Sequence, residues 1–322
     1  MSFISHREKN FVERNSINLK NDKSYLSTDN SILIPSVILI ISTTVIAALI
    51  QLWMIFPTGK KGIRFYYQTS NNTSRQELTS RDAAPISSST NVTVIIHGFL
   101  ESSKSEWIKT LTTALLNPEY GSDQVIILVD YWDVMFAPRL QLRSYIAKET
   151  ADLLDYFALH KQLNLSQSHL IGFSFGGNIL GIVTHHITEG TLGRVTGIDP
   201  GDDFKMSEEE FDPSYYLDES DADIVTTIRC SSIGDTYPAT SIDFYPNGGL
   251  IQPGCDKWYM PKFVQNLCSH VRAPYLMIEA YEQSNSISFE GCSCDDYESY
   301  INKTCPCKTK NNFGISINPR FM

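Results

Sequence analysis

The sequence predicts an α/β fold, in which a central and mostly parallel sheet is covered by helices on both faces. Apolar β-branched runs, which are typical of buried strands, alternate along the chain with segments of helical period. These strands are continuously apolar, which favours a parallel sheet buried on both faces. With 322 residues, 42% of them hydrophobic, the chain is long enough for one large domain and additional segments.

The predicted elements begin after Pro57 and keep a regular order. Strands and helices alternate as strand 92–96, helix 106–116, strand 125–129, helix 139–160, strand 169–173, helix 176–187 and strand 195–198. The last strand leads directly into Asp199-Pro200. This order is typical of a layered domain in which each helix crosses over between parallel strands.

The overall charge excludes one class of partner. The formal net charge is −10 at pH 7. Binding of nucleic acid requires a basic face that neutralises phosphates, and the sequence contains no such cluster. Nucleic acid is therefore not expected as a partner. The sequence does not determine the oligomeric state.

An apolar run without charged residues covers residues 32–56 and follows a polar N-terminal tail, residues 1–31. A helix of about 20 residues is enough to cross the roughly 30 Å of bilayer hydrocarbon. We predict that this run is one transmembrane helix, a signal-anchor that precedes a domain at 57–322. A cleaved signal peptide is the alternative, although its apolar core is usually only about 7 to 15 residues long.

The features that depend on an oxidising compartment all follow the apolar run. All seven cysteines lie C-terminal to it, and so do the five candidate glycosylation sites Asn71, Asn72, Asn91, Asn164 and Asn302. We therefore expect a single-pass type II membrane protein, with a cytoplasmic tail and a lumenal or extracellular domain. Secretion after signal cleavage is the alternative.

The segment Gly172-Phe173-Ser174-Phe175-Gly176 matches the G-x-S-x-G pattern of a nucleophile elbow. It lies between a predicted strand and a predicted helix, as the elbow requires. The glycines allow a sharp turn that exposes the serine hydroxyl above the sheet. The pattern therefore predicts an α/β-hydrolase fold with Ser174 as the nucleophile.

The chain order of such hydrolases selects the base, because the nucleophile is followed first by an acid and then by a histidine. Six of the seven histidines precede Ser174 or lie on the helix directly after it: His6, His97, His160, His169, His185 and His186. His270 remains as the candidate base.

Many carboxylates lie between Ser174 and His270, so the acid is chosen by its position. Asp199 ends the strand that follows the elbow helix, and functional groups in open parallel sheets gather at the carboxyl ends of strands. The charged run 208–210 is interpreted as a solvated surface. We predict a catalytic triad of Ser174, Asp199 and His270.

A tetrahedral oxyanion needs two hydrogen-bond donors in such a site. The backbone N–H that follows the nucleophile belongs to Phe175. A second donor is expected from the loop after an earlier strand, and His97-Gly98-Phe99 occupies that place. We predict that the Phe99 and Phe175 amides form the oxyanion hole and that His97 has an architectural role.

Several motifs in one order resemble the pancreatic lipase family of lipases and phospholipases A1. The resemblance covers most of residues 63–295, and its motifs are Ile63-Arg64-Phe65-Tyr66, His97-Gly98-Phe99, the elbow, Gly197-Ile198-Asp199-Pro200, residues 243–249, Gln252-Pro253-Gly254-Cys255 and residues 268–273. Phe173 stands where a histidine is often found, which leaves the acid–base chemistry unchanged. The resemblance implies the same acid and the same oxyanion donors.

The resemblance also implies a lid over the site, residues 255–268, closed by a disulfide between Cys255 and Cys268. Closing a loop of this length contributes about 3 kcal/mol on chain-entropy grounds. The lid and the loop between Cys230 and Asp243 are short, which is similar to phospholipases A1. Its apolar residues could contact a lipid surface or pack against the core, and they are Trp258, Tyr259, Met260, Phe263, Val264 and Leu267.

These features imply a lipolytic serine esterase that needs no cofactor. The expected substrate is a glycerophospholipid at a membrane or lipid–water interface, cleaved at the sn-1 ester as by a phospholipase A1. A triacylglycerol lipase is the alternative in the same class. A lipid-binding relative without catalysis is the alternative in another class, although the complete triad argues against it.

Two further points follow from the same resemblance and from the cysteine count. Some family members hold a structural calcium ion, and Asp218 and Asp221 match two of its carboxylates, but Tyr216 stands where an arginine is expected. We therefore expect no metal site, with a structural calcium ion near Asp218 and Asp221 as the alternative. Seven cysteines leave one unpaired, which we expect to be Cys230, and the sequence does not determine how Cys292, Cys294, Cys305 and Cys307 are paired.

Overall fold

A computed structural model describes residues 2–5, 62–117, 123–137, 139–201, 216–234, 240–282, 289–294 and 297–314. From Ile63 onward the described residues form one compact unit, which also includes residues 2–5. The predicted membrane segment 32–56 lies outside the described residues. In the described part of the chain, no helix is both long enough and apolar enough to cross a bilayer.

The described residues contain one sheet of eleven strands. In chain order the strands are β1 (Ser2–Ser5), β2 (Arg64–Thr69), β3 (Asn72–Glu77), β4 (Asn91–Ile96), β5 (Gln124–Asp130), β6 (His169–Phe173), β7 (Leu192–Ile198), β8 (Ala222–Ile228), β9 (Ile242–Tyr245), β10 (Glu290–Ser293) and β11 (Lys310–Asn312). Across the sheet the order is β11-β10-β1-β9-β8-β7-β6-β4-β5-β2-β3.

The six central strands, from β9 to β5 in this order, are parallel to one another. The antiparallel pairs lie toward the two edges, where β2 pairs with β5 and with β3, and β10 pairs with β11. Because parallel strands all end at the same edge of a sheet, the loops after β4, β6, β7 and β8 meet on one side. That edge contains the predicted site.

Helices cover both faces of the sheet. The helices are α1 (Glu106–Leu115), α2 (Arg139–Lys161), α3 (Phe175–His186), α4 (Lys262–Glu282) and the short α5 (Tyr297–Ile301). Along β4, Val94 and Ile96 belong to one core cluster with residues of α2 and α3. Ile95 points to the opposite face and belongs to a second cluster with residues of α1 and α4. The alternation of side chains along a strand thus accounts for two separate cores.

The structure confirms the predicted α/β class and the alternating central elements. The predicted strands at 92–96, 125–129, 169–173 and 195–198 and the three helices between them are present, with ends that differ by at most three residues. The central strands β8 and β9 and helix α4 were not predicted. Elements toward the sheet edges, such as β3 with its burial pattern of mostly exposed residues, were not predicted. Their polar composition does not carry the apolar signal on which the prediction depended.

Strand β1 was also not predicted, and it bears on the expected membrane topology. It pairs antiparallel with β9 and parallel with β10, in register from Ser2 opposite Tyr245 to Ser5 opposite Ile242. A tail on the other side of a membrane could not form this strand, so β1 and a single crossing at 32–56 exclude each other. The division of the chain at 31 and 56 stays a prediction.

The two carboxylates that the resemblance associates with calcium are engaged by the protein itself. Asp221 accepts hydrogen bonds from the Thr184 hydroxyl and from the N–H of Asp218, the latter at 2.7 Å. Asp218 accepts the N–H and the hydroxyl of Ser220 at 2.7 and 2.6 Å. In the described part of the chain, no three His, Cys, Asp or Glu residues cluster as metal ligands would. Among the described residues, these two carboxylates therefore have protein donors as partners and no third candidate ligand beside them.

We predict that Asp221 destabilises the fold as the pH rises. Burial raises the pKa of its carboxyl from 3.8 to about 6, so between these pH values the folded state binds more protons than the unfolded state. The free energy of unfolding therefore decreases through this window, by up to about 3 kcal/mol. Urea unfolding at pH 4 and pH 7 should show that Asp221→Asn removes this decrease, whereas Glu219→Gln, an exposed neighbour, keeps it. Identical pH dependence in wild type and Asp221→Asn would contradict the prediction.

Candidate active site

Ser174 lies at the sharp turn between β6 and α3. Its backbone has φ 53° and ψ −119°, a conformation that non-glycine residues rarely adopt. Its N–H donates to the carbonyl of Ile198 on the neighbouring strand β7, at 3.0 Å. A Cβ on Gly176 would lie 2.4 Å from the carbonyl oxygen of Ile96, so only glycine lets α3 begin this close to β4.

Asp199 follows β7 and is fully buried. Three hydrogen bonds to its carboxylate come from the loop after β8. The N–H groups of Cys230 and Ser231 donate to Oδ1 at 2.6 and 3.2 Å, and the Ser231 hydroxyl donates to Oδ2 at 2.6 Å. A carboxylate with this many donors is held in one orientation, with Oδ2 turned toward the site.

His270 lies on α4 and joins the other two side chains. Its Nδ1 is 2.7 Å from Asp199 Oδ2, and its Nε2 is 2.8 Å from Ser174 Oγ. Because the Asp199 carboxylate only accepts hydrogen bonds, Nδ1 carries the proton and Nε2 is left to accept one from the serine. The ring packs against Phe173, with centroids 4.8 Å apart. This arrangement can remove a proton from a serine that attacks an acyl carbonyl.

The loop after β4 lies against the nucleophile. A Cβ on Gly98 would be only 3.3 Å from the Cβ of Ser174. The rings of Phe99 and Phe175, whose amides are the predicted oxyanion donors, lie 6.3 Å apart between centroids. Phe175 is the first residue of α3, and its amide therefore lies at a helix N-terminus, where backbone N–H groups favour negative charge. The oxyanion role of both amides stays a prediction.

His97 is buried in this loop and is held by both ring nitrogens. Its Nδ1 donates to the carbonyl of Gly98 at 2.8 Å, and its Nε2 accepts the N–H of Tyr131 at 3.3 Å. The ring also stacks on Tyr131, with centroids 3.9 Å apart. Burial lowers the pKa of His97 to about 4. The imidazole is therefore neutral at pH 7 and supports the loop rather than moving protons.

The lid is closed by a disulfide between Cys255 and Cys268. Trp258, Tyr259 and Phe263 are 93%, 63% and 71% exposed, whereas Met260 is partly buried. The three aromatic side chains therefore do not pack against the core, which was one of the two interpretations of the apolar lid residues. Contact with a lipid surface is the other interpretation. The second half of the lid forms the first turns of α4, the helix that carries His270.

Four other cysteines form two disulfides, Cys292–Cys307 and Cys294–Cys305, which join the segments around β10 and β11. Cys230 is free and buried. Burial raises the pKa of its thiol well above the ordinary value, and the nearby Asp199 charge adds to this effect. The buried thiol therefore favours its protonated form, and Cys230 contacts Asp199 through its backbone N–H.

Three residues of the site were missed from the sequence. Ser231 donates to Asp199, Tyr131 holds the loop after β4, and Glu101 accepts the N–H of Gly98. A sequence signal existed for Tyr131 and Ser231, because both follow strands whose carboxyl ends reach the site. The contact of Glu101 depends on the shape of the loop and has no such signal.

Comparison with known proteins places these features in a family. The family model described as Lipase matches residues 57–320. Pancreatic triacylglycerol lipase from Cavia porcellus is 28% identical over 275 residues, which cover 77% of this chain and 57% of that protein. Lipase member H from Mus musculus is 31% identical over 256 residues, 77% of this chain and 54% of that protein. Phospholipase A1 member A from Rattus norvegicus is 28% identical over 254 residues, 76% of this chain and 53% of that protein. The chain spans about half the length of these relatives.

Proposed function

The chain belongs to the lipase family, and we propose that it is a serine esterase that hydrolyses acyl esters of glycerophospholipid at the sn-1 position. The observation that carries the proposal is the hydrogen-bonded set of Ser174, His270 and Asp199, with both bonds of His270 between 2.7 and 2.8 Å. This geometry supports acyl transfer through a covalent serine intermediate.

In the proposed mechanism, Ser174 Oγ attacks the ester carbonyl while His270 Nε2 accepts its proton. The amides of Phe99 and Phe175 stabilise the oxyanion, and Asp199 stabilises the imidazolium. Collapse of the intermediate expels the lysophospholipid alcohol, which takes the proton from His270, and leaves the acyl group on Ser174. Water then attacks the acyl-enzyme with His270 as the base, and the fatty acid is released.

The choice of phospholipid rests on the short lid. Only residues 256–267 lie between its two cysteines, so the lid covers little surface and leaves room for a polar head group. Its exposed aromatic side chains suit contact with a lipid surface, because aromatic residues partition to membrane interfaces. The similarity to a pancreatic triacylglycerol lipase favours that activity as the second candidate.

We predict that the chain releases fatty acid from phosphatidylcholine vesicles and that Ser174→Ala removes this activity almost completely, by about 10⁴-fold or more. Fatty-acid release should be measured on vesicles and on a triglyceride emulsion. Ser88→Ala changes an exposed serine outside the triad and outside the candidate glycosylation sites, and it is the matched control that keeps full activity.

The outcomes separate the candidates. Release from the emulsion alone would replace the phospholipase with a triacylglycerol lipase. Release that survives Ser174→Ala would remove Ser174 from the mechanism. Binding to vesicles without any release in wild type would identify a lipid-binding protein without catalysis.

A second prediction concerns the lid. Trp258→Ser should lower activity on vesicles by about 3- to 10-fold and leave hydrolysis of a soluble short-chain ester unchanged, because the indole lies in solvent and supports only interfacial contact. Vesicle co-sedimentation should weaken in parallel. Trp132→Ser changes another exposed tryptophan, outside the lid, and serves as the control. An equal loss on both substrates would show that Trp258 supports the fold of the site instead.

We further propose that the chain adopts a type II topology when it is inserted in a membrane, with the tail in the cytoplasm, the catalytic domain in the lumen or outside the cell, and residues 2–5 no longer paired in strand β1. The uncharged run at 32–56 supports it, and so do the side chains of Asn71, Asn72, Asn164 and Asn302, which are exposed as glycosylation requires. In sealed microsomes, an N-terminal tag should be digested by added protease while the domain stays protected and carries an enzyme-sensitive glycan.

This test also decides between the crossing and strand β1. A tag that is protected together with the domain would place residues 2–5 beside β9 and overturn the single crossing. A soluble, glycosylated chain that lacks the tag would indicate secretion after cleavage.

A further inference from the structure

The loop between β4 and α1 contains a carboxylate that the proposed mechanism does not use. Oε2 of Glu101 accepts the N–H of Gly98 at 2.9 Å, and Oε1 accepts the indole N–H of Trp107 at 3.0 Å. Gly98 directly precedes Phe99, and Trp107 belongs to α1. Both oxygens of one side chain therefore connect the predicted oxyanion loop to a helix.

Trp107 is a firm attachment point for this connection. Its side chain is buried, and its ring packs edge-on against Phe173, with centroids 5.6 Å apart. Phe173 directly precedes Ser174, and its ring also contacts the ring of His270. Glu101 thus connects the loop to the same packed group of side chains that holds the nucleophile and the base.

The Gly98 peptide is held from a second side by Tyr131. The Tyr131 hydroxyl lies 2.6 Å from the carbonyl oxygen of His97 and 2.9 Å from that of Gly98. Without Glu101, these contacts would still hold the carbonyl side of the loop. The N–H of Gly98 would lose its hydrogen bond to Glu101. The peptide could then rotate and carry the Phe99 amide with it.

The spacing at this point leaves little tolerance. A Cβ built on Gly98 would lie 3.1 Å from Glu101 Oε2 and 3.3 Å from the Cβ of Ser174. The carboxylate and the nucleophile therefore both lie close to the position that a side chain on Gly98 would occupy. Because an oxyanion donor acts only over a hydrogen-bond distance, a shift of about 1 Å in this loop would misplace it.

We propose that Glu101 is a positioning residue, which holds the Gly98-Phe99 loop so that the Phe99 amide faces the oxyanion formed on Ser174. This role rests on the proposed function, because the oxyanion exists only during acyl transfer. Glu101 touches neither substrate nor reacting atoms and acts through the Gly98 peptide.

The hydrogen bonds to Glu101 stabilise its charged form. Burial raises the pKa of its carboxyl, whereas the N–H groups of Gly98 and Trp107 lower it. Replacing Glu101 by glutamine keeps the size of the side chain and removes the charge that these two N–H groups face.

The test compares Glu101→Gln, Trp107→Phe and the control Glu106→Gln in the full chain. Glu106 is an exposed carboxylate on α1 that pairs with Lys109, so its variant repeats the chemical change away from the site. On a soluble p-nitrophenyl ester, Glu101→Gln should lower kcat by about 10- to 100-fold and change KM by less than about 3-fold. Trp107→Phe, which removes only the indole N–H, should cause a smaller loss, and Glu106→Gln none.

One further measurement separates positioning from a loss of fold. An alkyl boronic acid, whose adduct with Ser174 imitates the tetrahedral intermediate, should bind Glu101→Gln more weakly by the same factor as the loss in kcat. Unchanged kcat or unchanged boronic acid binding in a folded Glu101→Gln would overturn the proposal.

A fluorophosphonate that labels active serines distinguishes this failure from failure of the proposed function. Equal labelling rates of wild type and Glu101→Gln would overturn the role of Glu101 and leave the esterase intact. A wild type that is not labelled at Ser174 would overturn the proposed function and, with it, the need for an oxyanion loop.

Discussion

The hydrogen bond between the Asp199 carboxylate and Nδ1 of His270 determines how the rest of the site can work. It selects the ring nitrogen that keeps its proton, and therefore the nitrogen that faces Ser174. The acid itself is oriented by the loop after β8, whose two N–H groups and one hydroxyl converge on it. Neighbouring strands β7 and β8 are thus needed to place one carboxylate, and α4 is needed to bring the imidazole to it.

Helix α4 gives this site a second property, because it carries both the base and part of the lid. Cys268 and His270 lie two positions apart on the helix, and Ser269 between them accepts the N–H of Gln252 at 2.9 Å. Gln265, one turn earlier, donates to the carbonyls of Lys257 and Met260 in the lid. The lid is therefore attached through hydrogen bonds and a disulfide to the helix that positions the imidazole. The exposed aromatic side chains and His270 thus belong to one segment that is held together by a disulfide and hydrogen bonds.

Residues of the same type have different hydrogen-bond partners in and around the site. His97 and His270 are both buried, but the Gly98 carbonyl and the Tyr131 amide occupy both nitrogens of His97, whereas one nitrogen of His270 faces a serine hydroxyl. Asp199 and Asp221 both accept two or more hydrogen bonds, yet Asp199 faces the base and Asp221 faces a loop. Residue type alone does not separate these cases, because the role follows from the partner on the other side of the hydrogen bond.

The sequence alone determined the features that depend on local pattern. Apolar periodicity predicted four of the six central strands, β4 to β7, and helices α1 to α3. The spacing of glycines around Ser174 predicted the turn. Both signals come from residues within a few positions of each other. Chain order then reduced the histidines to His270. The edge strands were missed because their polar residues carry no apolar signal.

Only the tertiary structure decided what depends on distant contacts. It paired Cys292 with Cys307 and Cys294 with Cys305, and it turned the lid aromatics toward solvent. It also brought the Ser231 hydroxyl to Asp199 and the Glu101 carboxylate to the N–H of Gly98. Asp199 and His270 lie 71 positions apart, and His270 and Ser174 lie 96 apart. Such contacts form because parallel strands end at a common edge, a condition that no short stretch of sequence contains.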